Sequence, residues 1–127
     1  ILNLMHAYSQ YLANMKEEKI LDLISNAKDY IDQHLCDTDL TADSVALSMD
    51  YNATYLNRIF KSQYTMSMKE YINVSRVELA KKLLVETDLS MLEISSKLGI
   101  ENSNYFYTFF KKHTGSTPNQ YRIDNKA

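Results

Sequence analysis

Proline and glycine are almost missing from these 127 residues: one Pro (Pro118) and two Gly (Gly99 and Gly115). Sheet-rich proteins need both at their turns, so this chain is expected to be all-α with short connections. There is one cysteine, Cys36. An internal disulfide is therefore excluded, and the expected setting is a reducing cytoplasm. His34 precedes Cys36 by two residues, but no second Cys or His pair follows at zinc spacing, so no metal is expected. No apolar run approaches the ~18–20 residues of a membrane helix, so no membrane partner is expected. Asn3, His6, Ser9, Gln10 and Asn14 interrupt the first fifteen residues, which argues against a signal peptide. The chain starts without Met inside a helical pattern, as a piece of a longer protein would.

Apolar residues make up 45%, with ten Tyr and four Phe, enough for one compact domain or two small units sharing a core. The net charge of −2 opposes binding to a polyanion, but it is unevenly spread. Residues 1–50 hold three Lys against nine acids, or −6, and residues 51–127 hold eleven Lys and Arg against seven acids, or +4. The local field of the basic part governs what approaches it.

That basic part says nearly the same thing twice. Val45–Tyr71 and Ile94–Tyr121 align, Val45 with Ile94 and Met49 with Leu98. After one extra residue in the second copy, Leu56 aligns with Phe106, Phe60 with Phe110, Lys61 with Lys111 and Tyr71 with Tyr121. Each copy reads as a short helix, a tight turn and a second helix with a polar face, the outline of a helix-turn-helix.

Start and stop signals set the boundaries. Ser67-Met-Lys-Glu70, Ser90-Met-Leu-Glu93 and Thr117-Pro-Asn-Gln120 are capping boxes, and Pro118 sits at the favoured first helical position. Asp50 stands where the second copy has Gly99, so both are expected to take a positive φ. Asn52, and Asn102 or Ser103, are expected to cap the second helices. The expected layout is an upstream or linker helix in 1–19 and a domain in 20–123. Within the domain lie a first helix-turn-helix in 41–64, a connecting helix in 67–86 and a second helix-turn-helix in 90–114. Residues 124–127 are expected to fray. Leu21–Leu35 reads as the first helix of the domain proper. The connector's apolar positions Tyr71, Ile72, Val74, Val77, Ala80, Leu83 and Leu84 cover more than one face, as a helix buried between two units requires. Upstream, Ile1, Met5, Tyr8, Leu12 and Met15 recur at 4-3-4-3 spacing, ending at the charged run Lys16-Glu17-Glu18-Lys19. Two readings stay open: a helix docked on its own domain, or a signalling or dimerisation helix that pairs with a second copy.

Several pieces carry a resemblance: Tyr55-Leu-Asn-Arg-Ile-Phe-Lys61, Arg76-Val-Glu-Leu-Ala-Lys-Lys-Leu-Leu84, Thr87-Asp-Leu-Ser-Met-Leu-Glu-Ile94, Leu98-Gly-Ile100, Tyr105-Phe106, Phe109-Phe-Lys-Lys-His-Thr-Gly115, Thr117-Pro118 and Tyr121-Arg122. In order and spacing these resemble the DNA-binding domain of the AraC/XylS family of bacterial transcription regulators, over about residues 21–123. The resemblance implies seven helices, two helix-turn-helix units bridged by a long helix, sequence-specific binding of double-stranded DNA, and control of transcription through polymerase contact or recruitment. The upstream helix and its charged break resemble the linker that joins such domains to the receiver domain of a two-component response regulator. Two departures fall at the end of the first unit: Thr65 where the second copy has Gly115, and Met68 where the family often has an aromatic residue or Pro.

In a helix-turn-helix the second helix enters the major groove with its early residues at base edges. In the first copy Tyr55, Leu56, Ile59 and Phe60 are expected inward. Thr54, Asn57 and Arg58 are left facing the bases. Arg58 has the fork that fits O6 and N7 of guanine, and Asn57 fits adenine. A phosphate contact or an internal salt bridge are the alternatives for Arg58. In the second copy Tyr105, Phe106, Phe109 and Phe110 are expected inward, and Ser103, Asn104, Tyr107 and Thr108 toward the bases. Thr108 replaces Arg58 there, which points to more shape-dependent readout. Asn104 is the leading base reader, or else a second cap; Tyr107 fits a thymine methyl or a sugar, or is simply surface. Asn52, Lys61, Lys111, Lys112, His113 and Arg122 are expected at phosphates, where contacts fix register without carrying sequence information.

A helical protein-interaction module is the competing class, but it has no use for a repeated polar reading face. No nucleophile–base set, phosphate loop or framed carboxylate pair points to catalysis, and no cofactor is expected.

Overall fold

The computed structural model describes residues 2–126, with side chains from residue 4 onward, so Ile1 of the seam and Ala127 of the tail lie outside the described residues. Among the described residues there are seven helices and no strand: α1 (Leu2–Gln33), α2 (Ala42–Ser48), α3 (Ala53–Tyr64), α4 (Met68–Glu86), α5 (Met91–Lys97), α6 (Ser103–Thr114) and α7 (Pro118–Asn125). The repeat is the architecture. α5 starts forty-nine residues after α2, and α6 and α7 start fifty after α3 and α4. The extra residue of the second copy therefore sits in the turn of its helix-turn-helix.

Each turn is built alike. Asp50 and Gly99 take positive φ, 59° and 72°, and the Tyr51 and Ile100 N–H groups donate back to the Ala46 and Ser95 carbonyls, both at 3.0 Å. Asp is among the few non-glycine residues that enter this region readily. Most helix starts carry a side-chain cap. Asn52, Ser67, Ser90, Asn102 and Thr117 each accept a backbone N–H of the first turn, removing an orphan donor worth about 1 kcal/mol. The boxes expected at Ser67, Ser90 and Thr117 form only this half. The complete reciprocal box is at Thr41 and Ser44, where Ser rather than Glu or Gln reaches back.

Two apolar cores result. Ile24, Ile31, Val45, Leu56 and Phe60 from α1–α3 fill the first, and Ile94, Leu98, Phe106, Phe109 and Phe110 from α5 and α6 fill the second. α4 completes both, giving Met68 and Ile72 to the first and Val77, Ala80 and Leu84 to the second. Val74 lies between the two and is 43% exposed, so it does not join the buried set that the pattern placed it in. Equivalent aromatic pairs close the cores edge to face: Phe60 with Tyr71 at 5.6 Å, and Phe110 with Tyr121 at 5.5 Å. Tyr71 also ties α4 to α1 by donating to Asp32 at 2.7 Å, while Lys28 pairs with the other oxygen of that carboxylate at 3.0 Å. Burial first, and then Asp32, hold the Tyr71 phenol above its usual range.

Two expectations need correction. The charged run 16–19 does not end a helix, because α1 continues through it to Gln33. Lys and Glu are good helix formers, so such a run interrupts an apolar seam without interrupting the backbone. Residues 4–19 are exposed throughout, with Leu4, Met5, Tyr8, Tyr11 and Leu12 all on the surface. The last helix also runs on into the tail: α7 reaches Asn125, and the Lys126 ammonium binds the Thr87 carbonyl and Asp88. At the end of the first unit Thr65 adopts the left-handed conformation of Gly115, φ 60° against 81°, and Met68 is fully buried at the position of Pro118. Both units thus leave their second helices in the same way. Among the described residues no helix is long and apolar enough to cross a membrane.

A β-branched residue in the left-handed region is strained by roughly 1–2 kcal/mol. Thr65→Gly relieves that strain, less the backbone entropy that glycine loses on folding. The net gain expected in a urea melt is about 1 kcal/mol, with the denaturant slope unchanged.

Candidate nucleic-acid interface

α3 and α6 each bury one face and expose the other. In α3 Leu56, Ile59 and Phe60 are buried, and in α6 Phe106, Phe109 and Phe110. Residues at i, i+3, i+4 and i+7 share a helix face. On the outward face these are Thr54, Asn57, Arg58 and Lys61 in α3, and Asn104, Tyr107, Thr108 and Lys111 in α6. Position by position the two sets correspond in the repeat. All eight are exposed except Asn57, which is half-buried.

Arg58 makes no ion pair among the described residues. Its guanidinium lies over the Tyr55 ring, 5.4 Å from the centroid, and Tyr55 stacks in turn on Tyr51 at 6.0 Å and 18°. The aromatic face restrains the long side chain, which stays exposed. In α6 the corresponding Tyr105 is 60% exposed, stacked on Phe109 at 6.0 Å, rather than facing inward as expected. A tyrosine at the edge of a small core keeps its hydroxyl in water. Asn104 has its backbone N–H on the Asn102 carboxamide at 2.8 Å, so Asn102 is the cap and the Asn104 side chain stays outward. Ser103 sits half-buried in the first turn, and the Thr108 hydroxyl donates to the Asn104 carbonyl at 3.2 Å.

Several residues expected at DNA bond to other groups of the protein. The Asn57 carboxamide oxygen accepts the N–H of Met68, the first residue of α4, at 3.1 Å. Bidentate adenine reading needs that oxygen and the amide together, so Asn57 is a strut between α3 and α4 first. Arg122 turns inward: Nε donates to the Leu84 carbonyl at 2.9 Å, and Nη2 to those of Leu89 at 2.8 Å and Thr87 at 3.3 Å. It satisfies orphan carbonyls at the end of α4 and beyond. His113 donates from Nδ1 to the Phe109 carbonyl at 2.8 Å and, with Val74, Val77, Glu78 and Lys81, lines a small cleft beside α4. Asn52 has its oxygen on the Tyr55 N–H at 3.2 Å. Lys61, Lys111 and Lys112 remain exposed, and none of them enters a salt bridge among the described residues.

Sequence reasoning assigned no role to Arg76, yet it is the counterpart of Arg122. From α4 it donates to the Leu35 carbonyl at 3.2 Å and the Asp37 carbonyl at 2.9 Å, at the end of α1. Burial pulls its pKa down from the ordinary guanidinium value. The signal was present: Thr38-Asp-Leu-Thr41 and Thr87-Asp-Leu-Ser90 extend the repeat upstream, so the turn after α1 corresponds to the turn after α4. Likewise His34 pairs with Asp37 at 2.8 Å and stacks on Tyr30, and Cys36 is exposed and free.

A family model described as a helix-turn-helix domain matches residues 45–123. The HTH-type transcriptional regulator YtdP of Bacillus subtilis is 39% identical over 98 residues, 77% of this chain and 13% of its own length. The C-terminal domain of AraT, a response regulator from Geobacillus stearothermophilus, superposes with a TM-score of 0.81 and 35% identity, covering 83% of this chain and 87% of that one. The DNA-binding domain of the transcriptional factor AdpA, solved with a target DNA, superposes with a TM-score of 0.74 over 80% of this chain and 90% of that one. At 21% identity that last likeness is one of fold. The chain belongs to the AraC/XylS family of transcription regulators, and its seven helices are that family's domain of two helix-turn-helix units. It spans about an eighth of the regulator YtdP.

The placements of Arg122 and Lys111 separate two kinds of loss. Arg122→Ala takes the donor from the Leu84 and Leu89 carbonyls, while Thr87 keeps the Lys126 ammonium, and is expected to lower stability by about 1–3 kcal/mol. Its salt dependence of DNA binding should match wild type. Lys111→Ala is expected to stay within about 0.5 kcal/mol of wild-type stability and to flatten the slope of log K against log salt by about one unit. A urea melt and a salt titration on each variant check both.

Proposed function

We propose that this domain binds double-stranded DNA sequence-specifically, with α3 and α6 in successive major grooves on one face of the duplex, about one turn or 34 Å apart. One observation carries the reading. The same four outward positions recur on two helices, each held by a capped turn and a buried aromatic core, and the side chains there suit base edges and phosphates. A helix that merely packed on another protein would not need this repetition.

Within this reading Arg58 takes the O6 and N7 acceptors of a guanine, and Thr54 an adjacent edge. Asn104, with its side chain outward, suits adenine; Tyr107 and Thr108 offer a ring and a methyl to thymine, and Ser103 lies at the margin. Lys61, Lys111 and Lys112 meet phosphates, and the N-termini of α3 and α6, beside Asn52 and Asn102, add positive dipole ends. Asn57, Arg122 and His113 support these helices from behind. The whole regulator acts by contacting or recruiting RNA polymerase, and the site of signal reception lies outside this domain. α1 supports a place downstream of a receiver domain: its exposed apolar seam is free to pair with a second copy or with an upstream unit.

Selection of bound duplexes from a random pool at physiological salt tests this, with wild type and Arg58→Ala side by side. The wild type is expected to enrich two short blocks about one turn apart. Arg58→Ala is expected to blur a single position in one block, at about 1–3 kcal/mol. Uniform weakening across all sequences would make Arg58 a phosphate contact. Failure to enrich any sequence would overturn sequence-specific reading by this domain.

A further inference from the structure

A single connecting helix fixes the distance between two units but leaves them free to swivel about its ends. Here a second contact lies off the axis of α4, and it centres on one stretch of backbone, Cys36–Asp37, after α1. From the second unit, Gly99 in the α5–α6 turn approaches it so closely that a Cβ there would stand 2.8 Å from the Asp37 carbonyl oxygen and 3.0 Å from the Cys36 carbonyl carbon. From α4, Arg76 donates to that same Asp37 carbonyl and to Leu35. Gly99 has φ +72° and immediately precedes the segment leading into α6. Arg76, Gly99 and Asn102, the cap of α6, line one cleft with Thr38 and Asp39 of the first unit. Connector, first unit and second reading helix therefore meet at one place.

We propose that this joint is a spacing determinant: Arg76 and Gly99, closing on the Asp37 backbone from two sides, fix the rotation of α6 relative to α3 and so the separation of half-sites that the domain accepts. The proposal rests on the two-groove reading above. Its physical basis is that one added base pair shifts a half-site by about 3.4 Å along the duplex and by roughly 35° around it. A swivelling pair of units follows such a change, and a locked pair does not. Neither Arg76 nor Gly99 is placed to touch DNA, so their effect is on geometry and not on base preference.

The test binds the full 127-residue chain to duplexes that carry the selected two-block site with the spacer native, one base pair shorter or one longer. Wild type is expected to lose about tenfold or more in affinity for either change, on the scale of losing contacts to part of a half-site. In Gly99→Ala the added methyl must push the turn off Asp37, and in Arg76→Gln the fork is lost. Both are expected to reduce that penalty to under about threefold while selecting the same bases within each block. Arg76→Lys keeps the charge and the stem without the fork, and is expected to fold even where Gly99→Ala does not, with an intermediate penalty. A loosened but purely structural contact would lower the melting temperature and leave the spacer penalty at its wild-type value; that result in Arg76→Lys and Arg76→Gln overturns the proposal. Enrichment of only one block by the wild type overturns the two-groove reading and this inference with it, an outcome distinct from strict spacing retained in the variants.

Discussion

α4 must be apolar on more than one side, and the rest of the structure depends on that constraint. Neither unit holds enough residues to bury its aromatics alone, and small cores are marginal for lack of buried area. One nineteen-residue helix supplies the missing wall to both, with Met68 and Ile72 at one end and Val77, Ala80 and Leu84 at the other. The rule that amphipathic helices carry one apolar stripe fails here for a stated reason: the stripe rotates as α4 passes from one core to the next. Its exposed apolar residue, Val74, lies where the rotation occurs.

The ends of the helices are as tightly specified as their middles. Asn52, Ser67, Ser90, Asn102 and Thr117 serve the N-termini. Arg76 and Arg122 serve the turns after α1 and α4, and the Asn57 carboxamide joins α3 to the start of α4. This division explains how a domain of net charge −2 keeps a reading surface. Two of its three arginines are committed to carbonyls, and the outward field is carried by Arg58 together with lysines that remain in water. Arginine's fork suits fixed carbonyl geometry, and lysine's mobile ammonium suits phosphates.

Much of this was legible in the sequence. The repeat gave the register, the one-residue insertion and both positive-φ turn positions, because turns and caps depend on local residue types. The outward positions of α3 and α6 followed from helical period. What was not legible were the long-range bonds of polar side chains. Asn57, Arg76 and Arg122 look like surface residues until their partners, eleven to forty-one residues away, are folded against them. Tyr105 fell between categories, since an aromatic at the margin of a small core buries one edge only. The charged run in α1 misled because it breaks an apolar seam, which is a statement about packing, and was read as a statement about backbone. Which residues touch which bases is chemistry between two molecules, and it belongs to the proposal.

That uninterrupted α1 makes the domain a lever. Its exposed part, residues 4–19, extends about 24 Å at 1.5 Å per residue, while Ile24, Ala27 and Ile31 of the same helix are clamped in the first core. A tilt of about 10° at the clamp sweeps the far end through roughly 5 Å, and a push of that size at the far end returns as torque on the helices beneath the first reading face. Sharp kinks in a helix arise at proline, at glycine or at a bulge, and α1 contains neither proline nor glycine among its described residues. A helix without such a kink site carries a tilt at its far end to the buried residues of the first core.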